Sequence, residues 1–419
     1  MKKQFLLGFL SLLMAYIPVF GQDQHVEEKK FLEELTYEKQ PGFANASSKI
    51  FTSERKFTVS GFGEINYVNF QGQKDKSSGD MELYYSNLFR TGIWLGYKFT
   101  DKIIMVGELQ TEYITDQFRE GELDFAYELV VDFLLSNQFN IRVGNYPMGI
   151  GWVNQNDEPI GFKTVNRPEV ERLIIPTAWM EMGVLFYGFA LPDLEYAFGL
   201  TNGFNGPNFT SGTWARNGRN HNMFEVPSSW ALNGKLQYGD EDDFLIGLSG
   251  YYGDASKGYT FAKSYENPYA GQHLNSQMGM FSAHGIYNIG NLELFGLYTK
   301  GWLTGTEQLY HIDGQILGAE TYGYYLQAAY DILPHFGASG EWKLPLFARY
   351  ERLNTHQRIH KDLEGIHEGL AMNDLQVISI GFNAQPKKSV VFKANYQFRK
   401  NFAGAPEPDQ IEFGVGFIF

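Results

Sequence analysis

The sequence predicts an all-β fold, a transmembrane antiparallel β-barrel of about sixteen strands, and three observations carry that prediction. From Lys56 onward, stretches of roughly ten to fifteen residues alternate oily residues with polar or small ones. Successive strand side chains point to opposite faces, so each stretch offers one face to lipid and one to water. The breaks between stretches are alternately tiny and long. Composition fits too: aromatics are 16% of the chain, with 35 Phe and 26 Tyr, while mean hydropathy is −0.30. Averaging lipid-facing with water-facing residues, and adding interfacial aromatic belts, gives such numbers. A large secreted β-domain shares that composition, so the patterning decides.

The chain opens Met1-Lys2-Lys3, runs apolar from Phe5 to Ile17, reaches Val19-Phe20-Gly21 and turns polar at Gln22. This reads as a signal peptide over 1–21, too short in its apolar run for the roughly 18 residues of a membrane helix. Residues 22–55 are charged and mixed, and Phe31, Leu32 and Leu35 share one side of a short candidate helix. They are expected to form a periplasmic lead-in, partly helical or disordered, ahead of the barrel at 56–419. So short a stretch does not suggest a folded plug domain of the kind energised transporters carry. With no Cys in the chain, disulfides, thiol chemistry and a lipid-bearing amino-terminal Cys are excluded. The net charge is −14, becoming −16 once Lys2 and Lys3 leave with the signal peptide. No basic patch suits nucleic acid.

Candidate strands begin near Lys56, Glu82, Lys102, Glu122, Gln138, Thr177, Asp193, Pro227, Asp243, Ser276, Asn291, Gly318, Phe336, Asn373, Ser389 and Gln410. The count is even, as single-chain bacterial barrels require. In one of them Phe89, Ile93, Leu95, Tyr97 and Phe99 oppose Arg90, Gly92, Trp94, Gly96 and Lys98. In the next, Ile103, Met105, Gly107, Leu109 and Tyr113 oppose Glu108, Gln110 and Glu112. Short breaks fall at Thr100-Asp101, Ser136-Asn137, Leu191-Pro192, Gly239 to Asp242, Ile289-Gly290, Leu333-Pro334 and Gln385 to Lys387. Long polar ones fall at 71–81, 146–176, 203–226, 253–275, 305–317, 352–372 and 401–408, with 116–121 less extended. Short periplasmic turns alternating with longer outer loops are the layout of an outer-membrane barrel, so the expected partner is outer-membrane lipid and the expected location the outer membrane of a Gram-negative bacterium.

The closing stretch puts Ile411, Phe413, Val415, Phe417 and Phe419 on one face and Glu412, Gly414, Gly416 and Ile418 on the other. Ending a strand on Phe resembles the carboxyl-terminal signature of bacterial outer-membrane proteins. Arg142-Val143-Gly144-Asn145, the pairs Glu158-Pro159 and Arg167-Pro168, and Ile175-Pro176-Thr177-Ala178-Trp179 followed by Gly183 resemble the phosphate-selective porin (O/P-type) family. Pro345 to Glu351 and Ser389 to Gln397 are similar to its late strands. The resemblance spans roughly 57–419. It implies a passive channel, a homotrimer, and a long loop folded inward as a constriction.

The loop from Tyr146 to Pro176 sits where that constriction would arise; it is longer than most connections, and Pro147, Pro159 and Pro168 give it a fixed, non-strand path. If it lines a pore, Lys163, Arg167 and Arg172 set a positive field against Asp157, Glu158, Glu169 and Glu171. Acids match bases, so phosphate selectivity is not carried by this loop's charge, and a salt-bridged surface loop has the same composition. On the strands, Arg90, Glu108, Glu112, Arg142, Lys393 and Arg399 fall on polar faces and join Lys163, Arg167 and Arg172 as pore-lining or constriction candidates. Lys98 and Arg349 lie on such faces as well. Arg142 is expected to act first as a structural partner of facing carboxylates such as Glu108 or Glu112.

The function expected is passive diffusion of small hydrophilic solutes, with phosphate-like anions the narrower class that the resemblance adds. Neither catalysis, cofactor nor metal is expected. The alternative is a plugged barrel whose outer loops, such as Gly203 to Val226, bind a partner or polysaccharide. A membrane lipase would need Ser282 and His284 as nucleophile and base. His356, His360 and His367, with Asp362, Glu364 and Glu368, are the one mixture that could hold a metal, but they sit in a loop without a scaffold.

Overall fold

The alternation closes into a barrel. The computed structural model describes residues 39–70, 87–116, 119–220, 228–263, 267–337, 341–366, 372–404 and 407–419. Its strands are β1 (Phe57–Phe70), β2 (Asn87–Thr100), β3 (Ile103–Asp116), β4 (Arg119–Leu134), β5 (Asn140–Pro147), β6 (Met180–Leu191), β7 (Leu194–Asn202), β8 (Trp230–Gly239), β9 (Phe244–Asp254), β10 (Gln277–Ile289), β11 (Leu292–Leu303), β12 (Glu320–Asp331), β13 (Pro345–Arg358), β14 (Asp374–Lys387), β15 (Val390–Asn401) and β16 (Gln410–Ile418). Each pairs antiparallel with its sequence neighbours, and β1 with β16 completes the ring. The seam extends past the last strand: the Gly61 N–H donates to the Phe419 carbonyl at 3.0 Å, and the Phe419 N–H donates back at 2.9 Å.

The two faces behave as the pattern demands. Phe89, Ile93, Leu95 and Phe99 of β2, and Ile411, Phe413 and Phe417 of β16, point outward and are exposed, whereas Arg90, Trp94 and Glu412 on the opposite faces are buried inside. Exposed Trp230, Tyr252 and Trp302 mark the long-loop rim of the outer wall, and Phe57, Tyr238, Phe244 and Trp342 mark the short-turn rim, as the aromatic belts of a lipid-embedded barrel do.

The predicted starts Glu82 and Pro227 lie outside the described residues, and one other predicted start is misplaced. The stretch predicted from Phe336 begins instead at Pro345, because Leu333–Phe336 forms a 3₁₀ turn and Gly337 follows in the left-handed conformation. Pro334 supplies the fixed φ that opens this turn.

The expected signal peptide and residues 22–38 lie outside the described residues. Residues 39–55 do not hang in the periplasm as a lead-in. They enter the lumen at the short-turn end, and helix α1 (Asn45–Thr52) packs on the inner faces of β1, β2 and β3. Ile50 fits against Gly96, where a Cβ would lie 2.2 Å from its side chain, and Lys98 Nζ donates to the Phe51 carbonyl at 2.9 Å. Burying Ile50, Ala46 and Phe43 against the wall is the hydrophobic gain that holds so short a helix, which would not persist alone in water.

Candidate functional site

The long connection between β5 and β6, residues 148–179, folds inward, and the charges that the sequence offers as pore lining tie it to the wall. At its centre lies Asp157. Arg167 donates from Nε and Nη2 to the two Asp157 oxygens at 2.6 and 2.7 Å, the bidentate fork of a strong pair. Arg90 on β2 stands 3.0 Å from the same carboxylate and donates to Glu64 on β1 at 2.8 Å. Glu112 on β3 is 3.6 Å from Arg167. Burial acts upward on the Asp157 carboxyl, but Arg167 and then Arg90 outweigh it and hold the pKa below the usual range.

From there the loop reaches the other walls. Lys393 on β15 donates to the Phe162 and Thr164 carbonyls at 2.7 and 3.0 Å and sits 4.0 Å above the Phe162 ring. Asn395 accepts from the Val165 N–H at 2.8 Å, and Glu412 accepts from Asn166 at 2.9 Å. Lys163 pairs with Glu293 on β11 at 2.8 Å. Farther on, a single helical turn, α2 (Glu169–Leu173), carries Glu169 between Arg172 (2.6 Å) and Arg399 of β15 (2.7 Å). Arg399 also donates to Glu407 at 2.8 Å. Glu171 accepts the Trp152 and Val153 N–H groups at 2.6 and 2.7 Å and the Tyr325 hydroxyl at 2.6 Å. Gly151, at φ 74°, lets the backbone turn past this carboxylate: a Cβ there would meet Glu171 Oε2 at 2.7 Å. Burial pushes the carboxyls of Glu158, Glu169 and Glu171 up to about 7.

A second cluster holds the amino-terminal segment. Arg142 on β5 donates from Nε to both oxygens of Asp132 at 3.1 Å and from Nη2 to the Pro41 carbonyl at 3.0 Å, with its guanidinium 3.9 Å from the Phe43 ring. The Tyr187 hydroxyl donates to Asp132 at 2.6 Å. Glu158 closes the join between loop and helix: its carboxylate accepts the Asn45 and Ala46 N–H groups at 3.1 and 2.6 Å, satisfying orphan donors at the start of α1.

All nine candidates therefore face the interior, most of them engaged with protein. One partnership differs from expectation: Arg142 pairs with Asp132, not Glu108 or Glu112. Asp132 stands directly opposite it on the adjacent strand, while Glu108 lies on β3, one strand farther, opposite Glu128. Sequence reasoning did not single out Glu64, Asp132, Glu128 or Glu351. Each occupies an inward position of the same alternation, so parity could have found them, although register alone pairs them.

Above the loop, the outer connections also turn inward. Trp179 lies tilted 4.6 Å from Phe204, Phe204 lies 5.8 Å from Phe209, and buried Trp214 donates from Nε1 to the Gly318 carbonyl at 3.0 Å. Phe204, Phe209 and Trp214 of the loop offered as a partner-binding surface are thus spent inside, and 221–227 lie outside the described residues. Among the described residues a cavity of about 670 Å³ stays open at the short-turn end, with Lys39, Trp152, Gln155, Lys163, Lys235 and Glu241 on its walls. A smaller space of about 140 Å³ adjoins it beside Phe295 and Arg349.

Among the described residues neither alternative chemistry assembles. Ser282 and His284 share the inner face of β10, but no hydrogen bond joins them among the described residues, and Trp152 covers the imidazole at 5.4 Å. His356 has both ring nitrogens engaged, by Thr355 at 2.7 Å and the Ile316 carbonyl at 2.9 Å. His360 lies 3.7 Å from Glu307 and from Asp362, and His367 is outside the described residues.

No protein-family model matches the chain. An uncharacterized protein of Aquifex aeolicus is 26% identical over 398 residues, which cover 91% of this chain and 84% of that one. Among solved structures, the chain is similar to the outer membrane channel DcaP of Acinetobacter baumannii, with TM-score 0.52 and 13% identity over 87% of this chain and 97% of that one. It is also similar to OmpF of Salmonella typhi in complex with daunomycin, with TM-score 0.51 and 11% identity over 87% and 97%. The barrel fold of these outer-membrane proteins is the fold of this chain.

Proposed function

We propose that the chain is a porin-like channel of the Gram-negative outer membrane, passing small hydrophilic solutes by diffusion through a lumen that the 148–179 loop constricts. The observation that carries this reading is the loop itself: it crosses a closed barrel whose outer wall is mostly apolar and is fastened by charge at Arg90, Lys163, Lys393 and Arg399. The barrel's likeness to solved outer-membrane channels supports it. Because Arg167, Arg172 and Lys163 each have a carboxylate partner, the field they leave for a passing anion is weak, and a channel of low selectivity follows. The narrower phosphate-like cargo and a homotrimer rest on the sequence resemblance alone. Planar-bilayer recording of folded wild-type protein tests the reading: stable conductance steps support it, and silence from demonstrably folded protein sinks it. Sedimentation in detergent tests the trimer.

A second reading, a barrel that is plugged at rest, is favoured by α1 and its link through Glu158 to the loop. Liposome swelling separates the two. Sugars enter with the full chain on the first reading, but only after residues 39–52 are removed on the second.

A further inference from the structure

Most of the outward wall is apolar up to its aromatic rim, as lipid requires. Across β11 to β15 it is not. Toward the long-loop end, Lys300, Glu320, Arg352, Asp374 and Lys400 leave the barrel on its outer side, where the buried neighbours within their strands point inward, and Arg358 is exposed at the end of β13. Strand pairing sets them in adjoining rows. Lys300 stands opposite Tyr322, Tyr322 opposite Asn354 and Asn354 opposite Asp374. Arg352 stands opposite Gln376, and Gln376 opposite Lys400. From Lys300 to Lys400 the strip spans four strand spacings, roughly 19 Å.

Its charges do not balance. Glu320 is shared by Lys300 at 3.0 Å and Arg358 at 2.7 Å, and Asp374 is taken by Arg352. Lys400 has a ring, Phe402 at 4.5 Å, but no ion pair among the described residues. On these five strands four cations thus share two carboxylates, and Asp409, just before β16, adds a third beside the strip, where it accepts the Tyr396 hydroxyl at 3.3 Å. The side chains of Lys300 and Arg358 are 38% and 67% exposed. Charge on the lipid side of a barrel is costly at mid-depth and tolerated at headgroup level, where a counter-anion can complete it.

We propose that this strip binds the phosphorylated headgroup of a membrane glycolipid in the leaflet on the long-loop side. Arg352 and Lys400 supply the central positive field, Lys300 and Arg358 flank it, and the interleaved tyrosines give the amphipathic contact that membrane interfaces favour. Guanidinium geometry suits phosphate oxygens. A second copy docked here by a two-fold contact would bring excess positive charge against itself, while a contact within a three-fold ring would set the strip against a different face and is read by the cross-linking arm of the test. The proposal rests on the outer-membrane siting given above and not on solute flow.

The test places folded protein in phosphatidylcholine nanodiscs and adds lipid A bearing two phosphates, or its dephosphorylated form, with retained lipid read by native mass spectrometry. Wild type is expected to hold the phosphorylated form about tenfold more tightly. Lys400→Glu, which breaks no ion pair, should cost on the order of fivefold or more, and Arg352→Glu with Lys400→Glu should abolish the preference. Equal retention of both glycolipids by wild type, or unchanged retention by folded Lys400→Glu protein, overturns the proposal. So does displacement of the glycolipid by millimolar inorganic phosphate, which would mark a free-anion site, or cross-linking through position 400 to a second copy. Because no ion flow is read, an electrically silent barrel leaves the outcome interpretable.

Discussion

Asp157 is the residue on which the interior turns, because two guanidinium groups from different parts of the chain converge on its one carboxylate. Replacing one member of a buried ion cluster leaves the others uncompensated, at a cost of about 3–5 kcal/mol. Asp157→Asn should therefore lower the unfolding temperature, free Arg90 and Arg167 to act on solutes, and shift the reversal potential in a salt gradient towards anions. Arg167→Glu should shift it the opposite way. The carboxyls of Glu158, Glu169 and Glu171 are pushed up to about 7 by burial, so each binds its proton more tightly folded than unfolded. Their contribution to stability is then complete below the ordinary carboxylate range, near 4.3, and is lost as pH rises through 7. Thermal unfolding should come a few °C higher at pH 5 than at pH 8, and Glu158→Gln with Glu171→Gln should shrink that difference. An unchanged difference in the double variant would remove these groups as its cause.

At the scale of elements, α1 is the part most open to manipulation, because it meets the wall over glycine. Gly96→Leu puts a side chain where Ile50 now sits. It should expel the helix while leaving the barrel paired, and so raise conductance towards that of a variant lacking 39–52. Conductance equal to wild type in both variants would show that α1 does not obstruct flow. The strands themselves were legible, since period-two alternation is set by the backbone and survives any register. The other starts that fall on described residues, each within three of its strand, follow from it, and Phe336 failed because Pro334 with Gly337 imposed a turn that hydrophobicity does not report. The filling of the lumen was not legible. Inward residues such as Lys393 and Asn395 have the same polarity whether they meet water or the carbonyls and N–H groups of a loop. Nor could parity choose between Asp132 and Glu108 for Arg142, which depends on which strand lies adjacent.

Taken whole, the described barrel is a closed ring of sixteen strands with a mostly apolar outer wall and protein segments inside it. A sixteen-strand ring is wide enough to hold an aqueous channel, yet here the loop, α1 and the outer connections enter that space. The wild-type single-channel conductance should accordingly be small for this strand number. Trp152 bridges the loop to the far wall, 5.6 Å from Phe295 and 5.4 Å from His284, and Trp152→Ala should enlarge the steps. Steps of unaltered size would place the narrowest point elsewhere.

The seam between β1 and β16 sets the order of assembly. Its two partners are the most distant strands in the sequence, so neither can find the other until everything between has been threaded and registered. Until then both present bare amide and carbonyl rows that invite pairing with foreign strands. Maturation of this barrel should thus be late, nearly all-or-none, and dependent on something that shields two open borders while they wait.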